Sequence, residues 1–179
     1  MQADWTSWIA PGLLLALLAV AGISDIVKRK IPNWTVLGLI AVWIGAAIAG
    51  QAIGPWYLAL AAAVIAFAIG YLLYHFGLMG AGDAKLFTAG ALFANLAFLL
   101  QVALFTALLG GVLAIGYLIL RPRKAMRGLT ARGRAEALKS SSGIPYGVPI
   151  AMAAAATAYL NGFLEALFYQ APQAIGPLF

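Results

Sequence analysis

From Leu86 to Leu120 the chain carries no charged side chain, and this run constrains the fold more than any other feature. At a helical rise of ~1.5 Å per residue, about 20 apolar residues cross the hydrocarbon core of a bilayer. The run is too long for one crossing and just long enough for two short ones. Its strongly polar side chains are Asn95 and Gln101, so a turn within 95–101 is predicted to fold it into a helical hairpin. Four other apolar stretches are each long enough for one crossing: Trp8 to Val27, Trp34 to Ile53, Trp56 to Leu78 and Val148 to Phe168. The expected fold is all-α, a polytopic membrane bundle of about six transmembrane helices, with residues 1–179 forming a single membrane-embedded domain.

Composition agrees with a lipid solvent. Hydrophobic residues make up 64% of the chain and charged residues 9%, with a mean hydropathy of +0.98, whereas a soluble domain is roughly a quarter charged. The first apolar run follows Gln2-Ala3-Asp4 and precedes its basic cluster, the reverse of a signal peptide, and reads as a retained helix. Glycine and alanine recur through the apolar runs and suit close helix packing where lipid supplies no hydrophobic drive. Cysteine is absent and His75 is the single histidine. Disulfides, thiolate chemistry and Cys- or His-rich metal sites are thereby excluded, and no metal or cofactor is expected. His75, late in the third run, is expected to hydrogen-bond inside the bundle.

Basic residues set the orientation, because Lys and Arg accumulate in short cytoplasmic loops. They fall in three segments: Lys28, Arg29 and Lys30; Lys85; and Arg121, Arg123, Lys124, Arg127, Arg132, Arg134 and Lys139. Six helices starting from an outside N-terminus bring all three segments to the cytoplasm. A five-span path would put the last cluster opposite the first. The Arg121 to Lys139 segment, with Glu136 as its only counter-charge, is expected to touch anionic lipid headgroups. It lacks the interleaved aromatics that stack bases, so no nucleic acid partner is expected.

Two carboxylates stand out against this background. Asp25 ends the first apolar run and Asp83 lies in Gly80-Ala81-Gly82-Asp83; ionisable groups at membrane depth are costly and mark functional sites. Two complete crossings separate them, so they return to the same cytoplasmic face, where they can meet. Paired carboxylates do not both ionise comfortably, and the asymmetry supplies one general base and one general acid. Water held between them is set to attack a peptide carbonyl. Gly80 and Gly82 are expected to allow backbone angles and close approaches that other residues forbid, and Asp83 to open a helix whose N-terminus favours negative charge. Taken singly, Asp25 reads more readily as a helix-end charge beside Lys28 to Lys30, and Gly-x-Gly-Asp as a pattern that a glycine-rich chain produces by chance. The pairing carries the inference.

Three segments, Ser24-Asp25 through Lys30-Ile31-Pro32-Asn33, Gly80 through Leu86, and Pro145-Tyr146-Gly147-Val148-Pro149, resemble the type IV prepilin peptidases over nearly the whole chain. These are polytopic Gly-x-Gly-Asp aspartyl proteases that cut the short basic leader from prepilins at the cytoplasmic membrane face. The resemblance implies Asp25 and Asp83 as the catalytic pair, a single-span prepilin as substrate, and the bacterial inner membrane as the location. The chain is similar to the short form associated with Flp (tight-adherence) pili. Longer members carry an N-terminal domain with two Cys-x-x-Cys pairs and methylate the new pilin N-terminus; with no cysteine here, that domain is not expected and methyl transfer is left open. Presenilin-type relatives place a tyrosine before the first aspartate, where this chain has Ser24.

Other readings stay open at this level. Lys85 is suited to contact an acidic substrate group or the carboxylates, and equally to serve as a cytoplasmic topology lysine. Pro145 and Pro149 fix an irregular entry to the last helix, and Tyr146 is a candidate for lining the cleft. A six-helix bundle with paired carboxylates also fits a small proton- or cation-coupled transporter, although a transport site belongs near the midplane. A catalytically idle scaffold for pilus or secretion assembly is the third possibility.

Overall fold

The computed structural model describes the backbone at residues 6–49, 54–120 and 146–174, and side chains at 10–49, 54–116, 119 and 146–160. The Arg121 to Lys139 basic segment, Ser140 to Ser142 and Pro145 lie outside the described residues. The described residues form α1 (Thr6–Lys28), α2 (Asn33–Ile48), α3 (Trp56–His75), α4 (Ala81–Leu120) and α5 (Gly147–Ala174), with no strand among them. Ala10–Lys28, Trp56–His75 and Ala81–Gly116 are long and apolar enough to cross a membrane; Asn33–Ile48 and Gly147–Leu160 are shorter apolar helices. The protein is a membrane protein with an all-α architecture.

Local signals explain the boundaries. The α1 helix stops where Arg29 turns left-handed (φ 53°) and its N–H donates to the Asp25 carbonyl at 3.0 Å, a single-bond αL cap. Pro32 then fixes an extended N-cap for α2, and the Thr35 hydroxyl donates back to its carbonyl at 2.7 Å. The α3 helix ends in a Schellman turn: Gly77 takes φ 70°, its N–H donates to Tyr74, and the Leu78 N–H donates to Leu73. That turn leaves three residues before α4 begins at Ala81, one turn earlier than the start of the uncharged run. Gly82 and Asp83 are therefore already helical.

The long α4 helix breaks at Asn95 (φ 59°, ψ 173°), inside the 95–101 interval expected for the turn. Gln101 lies within the helix after the break. Three contacts mark the reversal of the chain between the arms 81–94 and 96–120. Gly82, near the start of the first arm, abuts Ile31; Asn95 reaches Gly54 between α2 and α3; Gly110, in the second arm, has returned to Tyr146 at the start of α5. Asn95 is buried, and its side-chain oxygen accepts the Leu96 N–H that heads the second arm.

The core is built largely from alanine around a few branched side chains. Leu18, Leu39, Leu86, Val102 and Ile150 are fully buried, with Ala21, Ala62, Ala66, Ala89, Ala91 and Ala153 between them. Helices pack at short range through glycine: a Cβ on Gly70 would stand 3.0 Å from that of Ala84, and one on Gly90 3.1 Å from that of Ala154. The outer surface is apolar instead, with Leu37, Val64, Leu100, Leu108 and Val112 all exposed. An apolar exterior on this scale is stable against lipid and not against water.

Candidate active site

Asp25 occupies the last turn of α1 and is 7% exposed. Its Oδ2 accepts the backbone N–H of Gly147, the first residue of α5, at 2.8 Å. A hydrogen bond to a charged group contributes about 1.5–3 kcal/mol, and this one joins residues 122 apart. The Gly147 backbone approaches so closely that a Cβ there would lie 2.8 Å from Asp25 Oδ2 and 3.0 Å from its Cβ and Cγ. Only glycine fits this contact.

Asp83 stands at the third position of α4. Its carboxylate folds back to the Gly80 amide, the arrangement of a capping box in which an acidic third residue satisfies the N-cap N–H. A Cβ on Gly80 would sit 2.8 Å from Asp83 Oδ2, and one on Gly82 would sit 3.3 Å from Ile31 Cβ. The two glycines thus make room, one for the carboxylate and one for the α1–α2 connection. Neither has a positive φ; among the described residues the positive-φ glycines are Gly54 and Gly77. Of the two glycine roles expected, close approach is seen and unusual backbone angles are not.

Both aspartates line one open cavity of about 320 Å³, together with Arg29, Lys30, Ile31, Asn33, Gly80, Ala81, Gly82 and Lys85. Asp25 is a charge neighbour of Asp83. The cavity has space for water, and Arg29, Lys30 and Lys85 bring cationic side chains to it. Two carboxylates from separate helices, each anchored by a backbone amide, keep free oxygen atoms that can take and return protons.

The remaining motif residues are tied to the frame around this cavity. Lys85 Nζ donates to Asn33 Oδ1 at 3.2 Å, and the Ser24 hydroxyl donates to the Lys30 carbonyl at 2.9 Å. The Tyr146 ring packs on Gly110, with Cε1 3.1 Å from where a Cβ would be, and Tyr146 is absent from the residues lining the cavity. His75 departs from its expected place inside the bundle: it is exposed, stacked on Tyr71 at 6.4 Å and edge-on to Phe76 at 5.7 Å. The ring continues an aromatic ladder on the outer face of α3, away from the bundle interior formed by the described residues. Sequence reasoning gave no individual role to Gly147, Asn33 or Ile31. Gly147 lies between Pro145 and Pro149, and that setting is its one signal in the sequence.

The model of the type IV leader peptidase family matches residues 12–115. The match includes Asp25, Asp83 and the chain between them. The chain belongs to the type IV leader peptidase family, and is accordingly a membrane peptidase. No curated protein and no solved structure matches the chain.

Proposed function

We propose that the protein is an aspartyl endopeptidase that removes the short leader from Flp-type prepilins at the cytoplasmic face of the inner membrane, with Asp25 and Asp83 as the catalytic pair. The observation carrying this reading is the shared cavity: two carboxylates from α1 and α4 face one space, each held by a backbone amide of a glycine. One carboxylate takes a proton from a bound water while the other gives a proton to the scissile carbonyl oxygen. Roles then reverse as the amine leaves. Both acids lie in terminal helical turns instead of mid-helix, which favours peptide hydrolysis over a midplane transport site. The scissile bond then falls just before the apolar helix of a single-span substrate, and a glycine before the cut passes most easily between two close carboxylates.

The test is co-expression with a prepilin and a mobility shift on leader removal. Asp25→Asn and Asp83→Asn should each abolish processing while the protein still inserts. Normal processing by either variant refutes the assignment. Mass spectrometry of the mature N-terminus should place the cut after glycine and outside the apolar helix; a cut within that helix would indicate presenilin-like proteolysis.

A further inference from the structure

Asp25 and Asp83 are held on helices that share no broad face. Among the described residues, α1 packs chiefly on α2 and α5, whereas α4 packs on α3, α5 and α2. The register between the two carboxylates therefore reaches them indirectly. One route is α5, through the Gly147 amide on Asp25 and Ala154 against Gly90. The other is the connection 29–33, which leaves α1 at the Arg29 cap, is pinned by Ser24 on Lys30, presses Ile31 onto Gly82, and enters α2 at Asn33.

We propose that the hydrogen bond between Asn33 and Lys85 closes this second route, and that both are positioning residues that fix Asp83 against Asp25; the inference rests on the proposed catalytic reading. Lys85 follows Asp83 by two positions, so the two side chains leave α4 about 200° apart around its axis, although both reach the same cavity. The ammonium group, a donor with no acceptor capacity, is met by the Asn33 carbonyl oxygen. Asn33 is in turn the first residue of α2, directly behind the rigid Pro32. Proline stiffness, the αL cap at Arg29 and the Ile31–Gly82 contact make the connection a strut. The Asn33–Lys85 bond fastens its far end to the first turns of α4, about half a turn along the helix from the carboxylate. A loss of 1 Å in such alignment costs on the order of 10²-fold in rate.

The experiment uses the full chain in liposomes and a reporter made of a basic leader, a glycine and one apolar helix. Asn33→Ala and Lys85→Met should each lower kcat by roughly 10–100-fold with KM changed little, as misplacement without lost contact requires. The double variant should be no worse than either single one, and Lys85→Arg should keep most of the activity. A rise in KM confined to Lys85→Met, with Asn33→Ala silent, would overturn the inference in favour of a lysine that binds an acidic substrate group. Full activity in both variants would overturn it in favour of a topology lysine.

A second readout needs no cleavage. The chain has no cysteine, so Ile31→Cys with Gly82→Cys forms an isolated pair whose Cβ separation, near 3.3 Å, is close to the disulfide range. Mild oxidation should bridge it, several-fold more slowly when Asn33→Ala or Lys85→Met is added. An unchanged rate in both would refute the tie even if the reporter were never cut. Reporter cleavage undiminished by Asp25→Asn would instead count against the catalytic reading alone.

Discussion

At the scale of single residues, the site is defined as much by missing side chains as by present ones. Gly147→Ala places a methyl 2.8 Å from Asp25 Oδ2 and 3.0 Å from its Cβ and Cγ, so either the carboxylate or the start of α5 must shift. Processing should fall by about 10²-fold or more, the scale set by a 1 Å displacement, while the protein still inserts; leader removal on gels and membrane fractionation check this. Gly80→Ala should act similarly through Asp83 Oδ2. Gly111, where a Cβ would meet nothing within 4 Å among the described residues, is the control: Gly111→Ala should leave processing intact and stabilise α4 by about 0.5–1 kcal/mol, read as a higher melting temperature in detergent. Asp25 and Asp83 were legible because charge is conspicuous in an apolar chain. Gly147 was not, because what makes it special is a neighbour 122 positions away, and glycine is common throughout.

At the scale of elements, the decisive feature is the reversal inside α4. Length alone required it, since a continuous helix over 81–120 would extend to roughly twice the thickness of a bilayer core. Polarity narrowed the turn to 95–101 but not to one residue, because Asn95 and Gln101 look alike on a hydropathy scale. Backbone conformation separates them. The φ and ψ of Asn95 lie in a region used almost only by glycine, at a cost of about 1–3 kcal/mol for other residues, and its side chain compensates by accepting the Leu96 N–H. Asn95→Gly should therefore fold nearly as well as the parent, exchanging the acceptor for an unstrained backbone. Asn95→Leu, which offers neither, should lower thermal stability markedly and reduce yield in the membrane fraction.

At the scale of the whole molecule, the apolar runs placed every described helix, with boundaries displaced by a few residues where caps decided the ends. The two crossings between them also foretold that α1 and α4 would present their aspartates at one end of the bundle. Orientation in the membrane is a separate property, argued from Lys and Arg placement. Reporter fusions after Lys30, at Gly82 and within 127–139 should register cytoplasm, and fusions near Gly50 and Gln101 the outside. An external signal from 127–139 would favour the five-span path. The Gly147–Asp25 bond carries one more consequence, in time. A ribosome reaches Gly147 only after it has made both aspartates, and at about 5–20 residues per second the stretch from Asp83 to Gly147 corresponds to roughly 3–13 s. Through that interval the nascent chain holds both acids without the amide that anchors the first. On the proposed catalytic reading, the anchored form of Asp25 exists only once the last helix has arrived.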